Sequence, residues 1–134
     1  MKYIMMMQFG VAGWKEGNIT NWKPEEVKKN MDYLIALNNE LVASGEMVQT
    51  EGLGGPETMK IVRAGSGKPV VTDGPFPESK EFLAGFWIVD VETAERAQEI
   101  AALISALPGP GGKPANLPIE VRPVMKHTGT EHTL

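Results

Sequence analysis

Ala84-Gly85-Phe86-Trp87-Ile88-Val89-Asp90-Val91 is the most apolar run in the chain, with bulky groups on both of the faces that a β-strand presents. Phe86 and Ile88 alternate with Trp87 and Val89, so burial on one side alone leaves half of them in water. The run therefore predicts a central strand. Lys2 to Phe9 has the same character, with Tyr3, Met5, Met7 and Phe9 on one face and Ile4 and Met6 on the other.

Outward from these two strands the punctuation is clear. Pro24, Glu25 and Glu26 suit the first turn of a helix running to Ser44, with Gly45 as its stop. Val27, Met31, Leu34, Leu37 or Asn38, and Leu41 form its predicted apolar stripe. Met47 to Leu53 reads as a short strand. Thr58 to Arg63 and Lys68 to Thr72 flank Ala64-Gly65-Ser66-Gly67 and predict a β-hairpin. Asp73-Gly74-Pro75-Phe76-Pro77 is a rigid corner, and Glu78 to Phe82 a polar link. Thr93 caps a second helix that buries Ala94, Ala97, Ile100, Ala101 and Ile104. Leu107-Pro108-Gly109-Pro110 ends it, a Gly/Pro loop follows, and Ile119 to Met125 forms the last strand. Residues 1–126 thus read as a single domain, and 127–134 as a polar tail that frays.

The order is β-α-β with an inserted hairpin, then β-α-β. Two helices spaced this way cover one face of a largely antiparallel sheet, the ferredoxin-like α+β arrangement. The other face keeps its apolar side chains without an internal partner. Monomers seldom expose apolar patches beyond a few hundred Å², as an order of magnitude, so a second copy of the chain is expected to cover it.

Composition narrows the function classes. The chain of 134 residues carries 17 acidic and 13 basic side chains, a net charge of −4, which gives no footprint for a nucleic-acid backbone. It has no cysteine, which excludes disulfides, thiolate metal sites and cysteine nucleophiles and fits a reducing compartment. No export signal or membrane-length apolar run is visible, so a cytoplasmic location is expected. The glycines at 52, 54 and 55 do not match G-x-G-x-x-G, and neither a P-loop nor G-x-S-x-G occurs, so no nucleotide or other cofactor is expected.

Val71-Thr72-Asp73-Gly74-Pro75-Phe76-Pro77-Glu78-Ser79-Lys80-Glu81, Leu83-Ala84-Gly85-Phe86 and Ile119-Glu120-Val121-Arg122-Pro123-Val124 resemble the DGPF-type branch of the YCII-related proteins. Lys2-Tyr3-Ile4-Met5 and the Ala-Ser-Gly at 43–45 fit as well. The resemblance implies a ferredoxin-like fold whose sheets pair into a dimeric α-β barrel. In the related YCII branch a His near the first helix and an Asp form an acid/base pair. Asp73 is similar to that Asp, but the helix from Pro24 to Ser44 contains no His. DGPF-type domains also occur beside or fused to extracytoplasmic-function sigma factors, which implies a regulatory role and a sigma-factor-related partner.

The candidate site residues each have two readings. Asp73 is a general acid/base if burial against Phe76 and Trp87 raises its pKa, and a turn residue if its carboxylate bonds nearby amides. Trp87 then lines the ligand site. Glu78, Lys80 and Glu81 line a polar site or form a solvated surface. Glu120 and Arg122 share a strand face, where Arg122 holds a ligand carboxylate or joins an ion pair. Trp14 and Trp22 are a lid or loop anchors. His127 and His132 lack a third fixed ligand, so no metal site is expected. The sequence thus points to a homodimeric small-molecule-binding or regulatory module. The alternative is a small cofactor-independent isomerase or lyase that uses Asp73 as acid/base, with Arg122 or Lys80 holding an anion.

Overall fold

The computed structural model describes residues 1–14, 21–74 and 81–126. Its elements are β1 (Lys2–Gly10), α1 (Pro24–Ala43), β2 (Met47–Gly52), a 3-10 turn (Pro56–Thr58), β3 (Lys60–Arg63), β4 (Val70–Asp73), β5 (Glu81–Asp90), α2 (Ala94–Ser105) and β6 (Ile119–Pro123), with a further 3-10 turn at Pro110–Gly112. The fold is α+β. Four strands form an antiparallel sheet in the order β2-β5-β1-β6, and β3 and β4 pair separately. The two doubly apolar strands are the central ones.

Register assigns the faces. Met5 lies opposite Trp87 on one side and Val121 on the other, and Tyr3 lies opposite Val89, so these residues share the face under the helices. That face is sealed: Met5 and Val89 are 0% exposed, and they pack with Leu37 and Leu41 of α1 and Ala97, Ile100 and Ile104 of α2. On the opposite face Ile4 lies against Ile88 and Met6 against Phe86. All four are only half-buried.

Local chemistry sets the helices. The Lys23 amide donates to Glu26 Oε1 at 3.0 Å, Pro24 opens α1, and Gly45 at φ 81° turns the chain out of it. Thr93 accepts from the Arg96 amide at 3.1 Å and caps α2. The buried stripe of α1 departs from expectation. Met31 is 46% exposed, and Asn30 takes the inward place at 4%. Asn30 can be there because its Nδ2 donates to the Pro108 carbonyl at 2.9 Å, which satisfies a polar group that burial would otherwise penalise. Strand β5 also begins earlier than expected, at Glu81 rather than Ala84, because Phe82 pairs with Phe9 across a bulge at Met7/Gln8.

No helix among the described residues is long and apolar enough to cross a membrane. The expected tail, 127–134, lies outside the described residues.

Ile100, fully buried between α2 and the sheet, tests this core. Ile100→Ala is expected to lower the unfolding free energy by about 2–5 kcal/mol in urea titration, through lost contacts and the cavity left behind. A loss below about 1 kcal/mol contradicts the packing described.

Candidate functional site

Lys60 and Asp73 are register partners at the root of the β3–β4 hairpin, and the Lys60 ammonium donates to the Asp73 carboxylate. The Asp73 side chain is 86% exposed. Lys60, by its hydrogen bond first and its charge second, holds Asp73 below the ordinary aspartate range. Neither reading of Asp73 describes this arrangement: the group is exposed rather than buried, and among the described residues its carboxylate bonds the Lys60 ammonium rather than turn amides. Phe76 lies outside the described residues. Trp87 is 6% exposed in the core under α1, where its indole N–H donates to Asn38 Oδ1 at 2.9 Å.

The remaining candidates are dispersed. Arg122 and Glu120 share the open face of the sheet, opposite Ile4 and Met6, and neither enters an ion pair among the described residues. Glu81 is exposed and lies opposite Gly10 at the other end of β1. Six residues of strand separate Ile4 from Gly10, roughly 20 Å, so Arg122 and Glu81 do not converge. Lys80, Glu78 and both histidines lie outside the described residues.

What gathers at the Gly10 end is aromatic. Phe9 and Phe82 are register partners past the bulge, and Trp14 closes over both. The Trp14 ring stands edge-on to Phe82, with centroids 5.0 Å apart at 87°, and lies 5.7 Å from Phe9. Phe82 is buried, whereas Phe9 and Trp14 stay half-buried. Trp22 is half-buried, and its indole nitrogen is buried without a hydrogen-bond partner among the described residues. Sequence reasoning passed over this cluster because Phe82 fell in a segment read as a polar link. Phe9 at the end of an alternating set was the available signal.

Lys60 was also missed, since only the hairpin register brings it to Asp73. Glu46 and Arg96 were missed for a similar reason. They line an open cavity of about 610 Å³ with Ser44, Asp90 and Thr93. Arg96 donates from Nε to Glu46 Oε2 at 2.8 Å, from Nη2 to Glu46 Oε1 at 3.0 Å, and from Nη1 to Glu99 at 3.1 Å. The guanidinium beside Glu46 lowers its pKa, and the Ser44 hydroxyl helps. Both groups are committed to tying the α1–β2 turn to α2, so this cavity offers a ligand no free charge from either. No group of three or more His, Asp or Glu placed to hold a metal occurs among the described residues.

Residues 1–108 match the family model of the YCII-related domain, a span that runs from β1 past α2. An uncharacterized protein of Rhizobium meliloti (strain 1021) is 29% identical over 119 residues, covering 88% of this chain and 92% of that protein.

Two titrations check the electrostatics. By carboxyl NMR, Asp73 is expected to titrate below the ordinary aspartate range, and Lys60→Met to move it upward; an unchanged value in the variant contradicts the pairing. Glu46 is depressed in the folded chain, so its contribution to stability is complete above the unfolded glutamate pKa and disappears as pH falls through the lower folded value. Glu46→Gln is therefore expected to flatten the acid limb of a stability-versus-pH curve below about pH 4.5 and to leave its slope near neutrality unchanged. An acid limb as steep as that of the parent protein contradicts it.

Proposed function

The chain belongs to the YCII-related family, and from that premise we propose that it is a homodimeric, ferredoxin-like binding module of the DGPF branch, which takes a small molecule bearing an apolar ring against Phe9, Trp14 and Phe82. The observation that carries this reading is the asymmetry of β5. Trp87 and Val89 are buried under the helices, while the equally apolar Phe86 and Ile88 beside them are not. A second copy laid on Ile4, Met6, Phe86 and Ile88 completes their burial and pairs the sheets into an α-β barrel.

The aromatic end supports binding because a cluster of rings of which Phe9 and Trp14 are only half-buried suits an apolar ring and supplies no acid or base. The Lys60–Asp73 pair points the same way. An exposed aspartate kept ionised by a lysine is a weak base and is almost never protonated near neutrality, which favours binding over proton transfer. Occupancy then acts by mass action: a ligand that binds the folded dimer stabilises it and alters the surface shown to a sigma-factor-related partner. A chain without cysteine suits the cytoplasm.

Sedimentation velocity at about 10 μM is expected to show a dimer for the parent protein and a folded monomer for Ile88→Lys, since a lysine on the paired face buries a charge without a partner. A monomeric parent protein contradicts the proposal. A thermal-shift screen on the same protein is expected to yield ring-bearing ligands whose stabilisation is lost in Trp14→Ala and kept in Asp73→Asn. Loss in Asp73→Asn with retention in Trp14→Ala places the site at the hairpin root and contradicts the aromatic assignment.

A further inference from the structure

Strand register lays two complete rows across the open face of the main sheet. In the order β2-β5-β1-β6 one row reads Gln49, Ile88, Ile4, Arg122, and the next reads Glu51, Phe86, Met6, Glu120. The rows lie two residues apart along each strand, roughly 7 Å, with the four apolar side chains at the centre. The polar residues at the ends are exposed, and Glu51, Glu120 and Arg122 enter no ion pair among the described residues. Arg122 is the one cation in the two rows.

Face-to-face sheets commonly keep their strands within about 30° of each other. Two kinds of two-fold axis lying in the interface allow this, one along the strands and one across them. The apolar centre favours neither, since both set Ile4 and Ile88 on apolar side chains of the second copy. The rim decides. An axis along the strands exchanges β2 with β6 and lays Glu120 on Glu51 of the partner subunit, twice over, while Arg122 meets only the neutral Gln49 of the partner subunit. An axis across the strands, between the two rows, exchanges the rows instead. Arg122 then meets Glu120 of the partner subunit, Glu120 meets the partner's Arg122, and Gln49 offers its amide to the partner's Glu51. Moving that axis onto either row lays Glu120 or Arg122 on its own copy. Opposed like charges are penalised and complementary ones fix register, so the axis between the rows is selected. Lys2 and Asp90, one row further out, are register partners within the chain and discriminate less.

We infer that the second copy lies with its strands running opposite to those of the first, and that Arg122 and Glu120 form two reciprocal intersubunit ion pairs that fix this register. The orientation rests on the dimeric reading above and adds to it the residues that each subunit lends the other. It also gives the Glu-x-Arg spacing on β6 a role. Two residues apart on one face is the separation that a two-fold axis between the rows trades between copies.

Charge reversal followed by mixing tests this. Glu120→Arg and Arg122→Glu are each expected to raise the dimer dissociation constant about tenfold, because each turns both reciprocal pairs into like-charge contacts. Mixed in equal amounts with one variant 15N-labelled, the two are expected to give about nine-tenths mixed dimers by native mass spectrometry, because both pairs are attractive again in the mixed dimer. A pair confined to one chain gains nothing from mixing. Glu40→Arg on α1 and Lys113→Glu in the Gly/Pro loop carry the same charge changes at exposed sites away from this face, and are expected to mix at about one half, the statistical share. A share of one half or less for Glu120→Arg with Arg122→Glu, or an equally raised share in the control pair, overturns the orientation and leaves the dimer intact. A Glu120→Arg homodimer tighter than that of the parent protein selects the axis along the strands and overturns it too. A parent protein that is monomeric at every concentration overturns the dimeric reading and the orientation with it.

Discussion

The pairing of β1 with β5 is the constraint from which the rest of the molecule follows. These two strands place Met5 against Trp87 on one side of the sheet and Met6 against Phe86 on the other, one residue along. Side chains of this size each gain roughly 1.5–3 kcal/mol when fully buried, so neither side can be left to water without substantial loss. The chain gives the pair the two central positions and lets the more polar strands β2 and β6 form the edges. Both helices then seal the Met5–Trp87 side with Leu37, Leu41, Ile100 and Ile104. Ile4, Met6, Phe86 and Ile88 remain half-covered, flanked by Glu51, Glu120 and Arg122 at the borders. An apolar centre with a charged rim is the anatomy of an association surface.

The polar chemistry is subordinate to that frame. Its main contacts among the described residues join segments distant in sequence. Arg96 and Glu46 bind α2 to the α1–β2 turn, Lys60 and Asp73 close the hairpin root, and Glu26 accepts from the Gly111 amide to hold the Gly/Pro loop on α1. Carboxylates used this way are pushed toward the ionised form and away from proton transfer, as Glu26, Glu46 and Asp73 all are. The rings at the Gly10 end stand outside this network, and the binding reading proposed above rests on them.

Much of the fold was legible because it rests on periodicity. Alternation marked β1 and β5, the cap at Thr93 and the turn at Gly45 bounded the helices, and the stripe Ala97, Ile100, Ala101, Ile104 is buried as the spacing requires. Asn30 shows the limit. Hydrophobicity places Met31 inward, and only the carbonyl of Pro108, far along the chain, makes an asparagine the better occupant. Asp73 shows a second limit: its motif drew attention to the right residue, but its environment comes from Lys60, thirteen positions earlier and joined by strand register. Phe82 shows a third, because a bulge moved the start of β5 and no local pattern announces a bulge. Whatever depended on long-range pairing was hidden, and that includes the aromatic end.

The claim on which the account depends is that a second subunit covers Ile4, Met6, Phe86 and Ile88. Isotope-filtered NOE spectroscopy on a mixture of 13C-labelled and unlabelled chains observes that contact directly. The account predicts intersubunit NOEs from the Ile4, Met6 and Ile88 methyl groups. Methyl groups that show NOEs only within their own chain and contact water on the open face would contradict it.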